Sequence, residues 1–264
     1  MFFIDAHCHL DSKEYEENVE IFIERAFESG VRRFLTVGCD LETSRRAVML
    51  ACRFEWAGVF ASVGVHPHEA VHYAQGLPDE LLALAEEPRV VAIGEAGLDY
   101  YYDHSPRDVQ NHVFAMQVDW ALELQKPLML HVRDAMDDVL VLLRSASELR
   151  DLPELIFHCY SGGFEYLDAV LALGASCSLA GPVTWKKNDS LRELSAQLPA
   201  ERLLLETDCP WLTPAPFRGK LNEPSYVRYV YEVVAAARGC SLDALTRQVD
   251  ENTDNLFGWG RVYV

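Results

Sequence analysis

The sequence predicts an α/β protein: a single closed (β/α)8 barrel of the TIM type, with one extra helix at the C-terminus. Three observations support this prediction. The chain has 264 residues, close to the roughly 250 that are common for such barrels. Half of its residues are hydrophobic, which is enough for one large core. Strand-like and helix-like segments alternate along the whole chain, and this alternation favours a parallel barrel.

Eight short apolar runs are the predicted strands. Each is bounded by polar or turn residues, as is typical of buried parallel strands. They lie near residues 2–6, 33–37, 59–65, 90–95, 128–131, 155–158, 175–179 and 203–207. No linker, low-complexity tract or internal repeat divides the chain, so we expect one domain over residues 1–264.

Helices are predicted between the strands, where apolar residues recur every three or four positions. Gly30 follows one such stripe as a helix stop, and the stripe consists of Val19, Phe22, Ile23, Ala26 and Phe27. Before a long predicted helix, Ser105 is the expected N-cap and Pro106 the first helical residue. The extra C-terminal helix is expected near residues 242–252.

The cysteines and the hydropathy pattern indicate a cytoplasmic protein. The seven cysteines include no C-x-x-C pair, which argues against a disulfide framework and against a thiolate zinc cage. No apolar stretch approaches the ~18 residues that a membrane span needs. The N-terminus has no basic, signal-like segment. We therefore expect neither a membrane nor an obligate protein partner.

Six potential metal ligands stand at the downstream ends of predicted strands, where barrel enzymes assemble their sites. Residues two apart in a strand point the same way, so Asp5, His7 and His9 are expected to line one side if the strand extends that far. Imidazoles and carboxylates together suit Zn, Mn, Fe or Ni better than Ca²⁺. The expected ligands are His7, His9, Glu95, His131, His158 and Asp208.

Six ligands exceed what one tetrahedral ion with an open position needs, so we expect two divalent ions. Glu95 is the expected bridge between one ion held by His7, His9 and Asp208 and another held by His131 and His158. Two ions about 3.5–4 Å apart can activate water and clamp the attacking and leaving oxygens. The pattern therefore predicts a hydrolase, and it leaves the choice among Zn, Mg, Mn, Fe and Ni open.

Asp208 and Glu206 are the candidate catalytic residues. Asp208 is expected to contact the attacking water and to carry its proton to the leaving group. Glu206, two residues earlier and on the same side, is expected to support the metal ligands from behind. The alternative is a buried structural carboxylate paired with a histidine or an arginine.

Seven segments span nearly the whole chain in order: DAHCHLD (5–11), GVHPH (64–68), IGEAGLDYYYDHSPRDVQ (93–110), KPLMLHVRDA (126–135), FHCYSGG (157–163), LLETDCPWLTP (204–214) and FRGKLNEP (217–224). In these segments the chain resembles the TatD family of metal-dependent deoxyribonucleases, within the amidohydrolase-like barrel superfamily. The resemblance implies the same barrel, the same six ligands and metal-dependent hydrolysis of DNA, often from a 3′ end. Tyr102 and Val132 stand where relatives commonly carry arginine and serine.

The net charge of the chain bears on whether the expected substrate is duplex DNA or a single strand. With 23 basic and 41 acidic residues, the net charge is −18, the wrong sign for a broad grip on duplex DNA. Basic residues nevertheless gather in the loops predicted at the catalytic mouth, at Arg107, Arg133, Lys186, Lys187, Arg218 and Lys220. Each basic residue, taken alone, is also explained as an ordinary charge on the solvated surface. A basic mouth on an acidic protein suits a single strand or a DNA end.

Four residues are the expected substrate contacts: His66, Arg133, Tyr160 and Arg218. His66 is expected to bind a phosphate or orient the leaving group, with a structural rim histidine as the alternative. Tyr100, Tyr101, Tyr102, Trp185 and Trp211 are candidates for base stacking or for packing.

Two other functions stay open at this point. Related barrels use a similar two-metal centre on other esters and on amides, so a small-molecule amidohydrolase or an aminoacyl-tRNA deacylase is the main alternative. A metal-dependent binding protein without catalysis is a third.

Overall fold

The computed structural model describes residues 2–259, and the predicted barrel is confirmed there. Its eight strands are parallel, and each is hydrogen-bonded to the next in chain order. The strands are β1 (Phe3–Cys8), β2 (Val31–Val37), β3 (Val59–Val63), β4 (Val90–Asp99), β5 (Leu128–Arg133), β6 (Leu155–Phe157), β7 (Ser176–Leu179) and β8 (Leu203–Leu205). All eight overlap the predicted runs; β4 is longer than expected, and β8 is shorter.

The last and first strands meet at the carboxyl rim of the barrel. The Asp208 N–H donates to the His7 carbonyl oxygen at 3.0 Å, and the His9 N–H donates to the Cys209 carbonyl oxygen at 2.8 Å. These backbone hydrogen bonds join the segment after β8 to the end of β1. They also bring three of the predicted ligands to one place.

Helices surround the strands. They are α1 (Val19–Glu28), α2 (Leu41–Arg53), α3 (Asp79–Leu84), α4 (Arg107–Glu123), α5 (Met136–Leu149), α6 (Gly163–Ala172), α7 (Asp189–Gln197), α8 (Val227–Arg238) and α9 (Leu242–Phe257). The last of these is the predicted extra helix, and the Ser241 hydroxyl caps it by accepting the Ala244 N–H at 3.1 Å. Within residues 2–259, no helix has the length and apolar character to cross a membrane.

The predicted N-cap at Ser105 is wrong. Helix α4 begins at Arg107, and Pro106 is the residue before its first turn. The Ser105 hydroxyl instead donates to the His68 carbonyl oxygen at 2.8 Å and accepts the Val71 N–H at 3.0 Å. The segment after β3 packs against the start of α4, so the Ser105 hydroxyl forms its hydrogen bonds with that segment. This contact joins parts of the chain that are distant in sequence.

Two hydrophobic clusters form the core. The larger lies between the outward faces of the strands and the helices. The smaller fills the barrel interior and includes Phe257 at the end of α9 and Trp259 just beyond it. Its strand residues are Ile4, Ala6, Leu35, Val37, Phe60, Val91, Ala92, Met129, Ile156 and Leu204. Burying this apolar surface drives the strands together, and the polar ligands sit beyond it at the carboxyl ends.

The side chain of Asp5 does not share a face with His7 and His9, contrary to the prediction from strand alternation. The pairing of β1 with β2 shifts register between Asp5 and Cys8, and a bulge breaks the two-residue period. Asp5 is fully buried, and its carboxylate accepts the Thr207 N–H at 2.8 Å and the Thr207 hydroxyl at 2.6 Å. Its carboxylate therefore braces the segment that leads to Asp208.

Candidate metal centre and active site

The six predicted ligands converge at the carboxyl end of the barrel. His7 lies in β1, Glu95 in β4 and His131 in β5, whereas His9, His158 and Asp208 lie just beyond β1, β6 and β8. Each is buried or nearly so. Parallel strands with one polar residue at each carboxyl end thus deliver one cluster from five separate strands.

Glycine at position 94 allows Glu95 to reach the cluster. Gly94 has φ +126°, a left-handed conformation that side chains rarely adopt. A Cβ at this position would lie 2.5 Å from the Met129 carbonyl oxygen of β5. The Glu95 N–H donates to the Gly38 carbonyl oxygen at 3.0 Å, so backbone contacts on both sides hold this part of β4.

The carboxylate of Glu95 faces two pairs of histidines. Its Oε2 lies 3.6 Å from Nε2 of His7 and 3.6 Å from Nε2 of His9. Its Oε1 lies 2.7 Å from Nδ1 of His131 and 2.7 Å from Nε2 of His158. One carboxylate with an oxygen toward each pair has the arrangement of a bridging ligand.

The first pair has the spacing of ligands to a common ion. The Nε2 atoms of His7 and His9 are 3.1 Å apart, and Asp208 Oδ1 lies 3.7 and 3.6 Å from them. Nitrogen ligands at about 2.1 Å from one ion lie roughly 3.0–3.4 Å apart in octahedral or tetrahedral geometry. Two imidazoles with two carboxylates therefore fit a divalent transition metal or zinc.

In three histidines, the contact made by one ring nitrogen determines which nitrogen is left to face the cluster. The Nδ1 of His9 lies 3.2 Å from a backbone carbonyl oxygen of β2, and Nδ1 of His158 faces Glu206 Oε1 at 3.4 Å, a charge contact without hydrogen-bond geometry. Both rings therefore turn Nε2 toward the cluster. His131 is reversed, because its Nε2 lies 3.1 Å from Asp99 Oδ2 and its Nδ1 faces Glu95. A metal ligand needs a nitrogen without a proton, and these partners select it.

Glu206 lies behind the cluster and not in the cavity. Its carboxylate is fully buried and accepts the Ser178 hydroxyl and, at 2.8 Å, the Cys159 N–H. Burial raises the pKa of the Glu206 carboxyl, and the neighbouring His158 opposes part of that rise. Strand β8 ends at Leu205, so strand alternation does not relate Glu206 to Asp208. The position suits a carboxylate that holds His158.

His66 lies beside the cluster, with Nε2 directed at Glu95 but beyond hydrogen-bond distance from it. Its Nδ1 accepts the His68 N–H at 3.1 Å, so the neutral ring carries its proton on Nε2. Burial lowers the pKa of His66 well below its usual value, which favours that neutral ring. The Nε2 lies 3.7 Å from Glu95 Oε1. Although His66, Glu95 and His131 are close enough to hold an ion, Nε2 of His66 presents a proton and not a lone pair.

Asp99 is a residue of the site that the sequence reasoning missed. It is fully buried and accepts hydrogen bonds from His68 and His131 and from the N–H groups of Tyr101 and Tyr102. Burial alone would raise the pKa of Asp99, but the bonds from His131, the Tyr102 N–H and His68 hold it below its usual range. The sequence feature that points to Asp99 is its position four residues after Glu95, which places both carboxylates on one face of a strand that is longer than predicted.

A cavity of about 880 Å³ opens over the cluster. Trp211 lines it with 53% of its surface exposed, and the indole contacts the His9 ring edge-on at 5.0 Å between centroids. Arg133 lines it as well, with its guanidinium carbon 4.9 Å from the ring centroid of Tyr102. Trp185 lines the wall and donates its indole N–H to the Thr213 carbonyl oxygen at 3.0 Å. Exposed rings and a cation thus surround the candidate metal centre.

The four expected substrate contacts differ in position. His66 and Arg133 line the cavity. Arg218 is exposed and is not among the lining residues, but its guanidinium carbon lies 4.2 Å from the ring centroid of Trp185, which does line the cavity. Tyr160 is only 3% exposed, and its hydroxyl donates to the Gly163 carbonyl oxygen at 2.8 Å. The structure therefore does not bring Tyr160 to the cavity, because the turn into α6 covers its ring.

The cysteines are all free, as expected from their spacing. Cys8 and Cys209 lie within ligand distance of Asp5, but all three are fully buried and Thr207 occupies the Asp5 carboxylate. The three side chains are therefore consistent with packing in the core and not with an ion site. Cys39 was not singled out in the sequence, yet it lines the cavity with Sγ 3.8 Å from Glu95 Oε2.

A second cavity of about 560 Å³ adjoins the first. The two share Val132, Asp134 and Ser161 as lining residues. Among residues 2–259, four carboxylates and one arginine line it, namely Asp134, Asp137, Asp138, Glu165 and Arg107. The negative potential of this neighbour repels a polyanion on one side of the metal cluster.

The barrel, the histidine–carboxylate cluster at its carboxyl end and the relatives of the chain define the class: this is a metal-dependent hydrolase. The chain is 38% identical over 253 residues to a protein of Bacillus subtilis strain 168 named uncharacterized metal-dependent hydrolase YabD, covering 96% of this chain and 98% of that one. The model of the TatD-related DNase family matches residues 4–258. The chain belongs to that family.

Two further comparisons agree with this assignment. The chain is 38% identical over 261 residues to a protein of Erwinia billingiae named 3'-5' ssDNA/RNA exonuclease TatD, covering 96% of this chain and 98% of that one. The crystal structure of YJJV, a TatD homologue from Escherichia coli K12, superposes with a TM-score of 0.85 at 28% identity, covering 97% of this chain and 98% of that one.

Proposed function

We propose that this enzyme is a deoxyribonuclease that hydrolyses phosphodiester bonds of single-stranded DNA or of DNA 3′ ends with two divalent ions. The observation that carries the proposal is the position of Glu95 between two histidine pairs, at the floor of a cavity with exposed aromatic rings. The name of the Erwinia billingiae relative, a 3'-5' ssDNA/RNA exonuclease, supports the substrate class.

The side chains divide into two ligand sets in this proposal. His7, His9 and Asp208 would hold one ion, His131 and His158 the other, and Glu95 would bridge them. Such ions, when bound, lower the pKa of water and neutralise charge on a phosphoryl group. The chain contributes the positions of the ligands, which the strand ends and the hydrogen bonds behind the rings maintain.

Asp208 is the group that moves a proton. Its carboxylate lines the cavity and is close to His7 and His9, so it can accept a proton from the attacking water. As the water oxygen bonds to phosphorus and the ester P–O bond breaks, Asp208 returns that proton to the leaving oxygen. Glu206 takes no part in this transfer and keeps His158 in place.

Hydrogen-bond donors and aromatic rings bind the substrate. His66 donates its Nε2 proton to a non-bridging phosphoryl oxygen, and Arg133 pairs with a phosphate. Trp211 and Tyr102 line the same cavity and offer ring faces to unpaired bases. Stacking requires an exposed base face, which a single strand offers and a base pair inside a duplex does not.

The acidic second cavity favours one alternative function. Its carboxylates suit an ammonium group better than a phosphate, and an aminoacyl ester carries an ammonium group beside the bond to be cleaved. An aminoacyl-tRNA deacylase or a small-molecule amidohydrolase is therefore the alternative substrate class for the same metal cluster.

We also propose that the enzyme works in the cytoplasm, without an obligate protein partner. The free state of all seven cysteines supports a reducing compartment.

The test is degradation of a 3′-labelled single-stranded oligonucleotide by chelator-treated protein, with Mg²⁺, Mn²⁺ or Zn²⁺ added back. Asp208→Asn is the control, because Asp208 has φ +53° and asparagine tolerates this left-handed conformation well. We expect metal-restored release of nucleotides that falls by orders of magnitude in the variant. No release with any metal, from protein that binds two ions, would favour the ester or amide hydrolase instead.

A further inference from the structure

We propose that Asp99 is a positioning residue for His131: it fixes the ring so that Nδ1, and not Nε2, is the atom that binds metal. This inference rests on the proposed metal centre. No sequence argument pointed to it, because it depends on a contact between the ends of two neighbouring strands.

The tautomer follows from the contacts at each side of the ring. The Nε2 of His131 lies 3.1 Å from Asp99 Oδ2, and its Nδ1 lies 2.7 Å from Glu95 Oε1. An ionised carboxylate only accepts hydrogen bonds, so Nε2 carries the proton toward Asp99. Without an ion, Nδ1 can likewise donate to Glu95. A metal ion bound beside Glu95 would take the place of that proton, whereas the proton on Nε2 stays with Asp99.

Backbone donors hold the Asp99 carboxylate in place. Its Oδ1 accepts the N–H of Tyr101 at 3.0 Å and the N–H of Tyr102 at 2.9 Å. These bonds leave Oδ2 for side-chain donors and prevent the carboxylate from rotating away. Asp99 is fully buried, so water does not compete for the bond to His131.

The close approach of β4 and β5 makes the contact possible. Gly97 pairs with His131 between the two strands, and a Cβ on Gly97 would lie 2.0 Å from the His131 carbonyl oxygen. The absence of a side chain there brings His131 between Glu95 and Asp99, two carboxylates of one strand. Strand β4 thereby supplies both the proposed bridge and the group that orients its neighbour.

Asp99→Asn gives a specific test, because it replaces one carboxylate oxygen, a hydrogen-bond acceptor, with an amide NH₂ group, which donates. The two backbone N–H groups would retain the amide oxygen of asparagine, which turns its NH₂ group toward His131. Nε2 would then have to accept a hydrogen bond, and the ring proton would move to Nδ1, where it blocks metal binding.

His68 offers the matched control. It donates to the same Asp99 oxygen at 2.9 Å, while its ring contacts the rings of His66, Tyr102 and His104 edge-on and lies 6.2 Å from the ring of His131 between centroids. Changing His68 to alanine therefore perturbs Asp99 while the bond from Asp99 to His131 remains.

The experiment is calorimetric titration of Zn²⁺ and Mn²⁺ into chelator-treated wild type and into Asp99→Asn, His68→Ala and His131→Ala variants. We expect Asp99→Asn to weaken one of the two metal equivalents about 10–100-fold, His68→Ala to stay within about 3-fold, and His131→Ala to lose one equivalent. Wild-type affinity in Asp99→Asn, or an equal loss in His68→Ala, would overturn the role of Asp99. Two equivalents in His131→Ala would instead refute the proposed centre.

A measurement on the wild type covers the case in which Asp99→Asn does not fold. In protein with ¹⁵N-labelled histidine and bound ¹¹³Cd²⁺, nuclear magnetic resonance reports which ring nitrogen couples to the metal. We expect His131 to couple through Nδ1, with a proton on Nε2. Coupling through Nε2 would overturn the inference without any substitution.

Discussion

Replacing Trp211 with alanine should weaken the binding of a single-stranded oligonucleotide about 5–10-fold. Removing an aromatic platform costs about 1–3 kcal/mol for each stacked base. Trp211 is 53% exposed, and the His9 ring contacts it at 5.0 Å, so one side of the indole is free for a base. One-sided stacking corresponds to the lower part of the range, about 1–1.5 kcal/mol, and 1.4 kcal/mol is about tenfold in affinity.

The assay compares two substrates. KM and kcat are measured for an oligonucleotide and for a small chromogenic phosphodiester that has no base to stack. We expect KM for the oligonucleotide to rise in Trp211→Ala, while both parameters for the small substrate stay unchanged. Trp211→Phe is the matched control, since it keeps a ring and should recover most of the affinity.

An equal loss of kcat/KM on the oligonucleotide and on the small phosphodiester would contradict a stacking role for Trp211. Because Trp211 also contacts His9, an equal loss accompanied by a lower metal content would mean that the indole supports a metal ligand. Unchanged KM on both substrates would mean that bases do not stack there. Elemental analysis of each variant separates these two cases.

Three further predictions test other parts of the site. Tyr160→Phe should leave KM unchanged and cost about 1 kcal/mol of unfolding free energy, because only the hydrogen bond to Gly163 is lost; a raised KM would restore its role as a substrate contact. Gly94→Ala should lower the free energy of unfolding, measured by urea titration, by about 1–3 kcal/mol, because the new Cβ would meet a backbone oxygen at 2.5 Å; an unchanged free energy of unfolding contradicts this. His131→Ala with His158→Ala should remove one of two metal equivalents, and an unchanged metal count refutes the two-site assignment.

Much of the fold could be predicted because its signals are local. A buried parallel strand is a short apolar run, and a surface helix is an apolar stripe with a period near 3.6. Both signals survive without knowledge of distant contacts, so all eight strands and helix α9 were found. The bounds were less accurate, since the last residues of a strand depend on whether the neighbouring strand continues beside them. Strand β4 extends to Asp99 for that reason, paired with the end of β5.

The ligand cluster was predictable from order along the chain. Parallel strands in a barrel end on the same side, so polar residues that follow separate apolar runs must meet there. That rule predicts from chain order alone that Glu95 meets His7, His9, His131 and His158. It says nothing about which ring nitrogen faces the centre, since the partner on the other nitrogen belongs to a different strand.

The sequence by itself therefore determined the barrel, the extra helix and the convergence of six side chains, because periodicity and strand order carry that information. Only the tertiary structure decided the direction of Asp5, the burial of Tyr160 and the place of Asp99. A register shift in β1 turned the first away, the turn into α6 covered the second, and the approach of β4 to β5 brought the third to His131. Each of these outcomes depends on contacts between segments that are distant in sequence, and no local pattern records them.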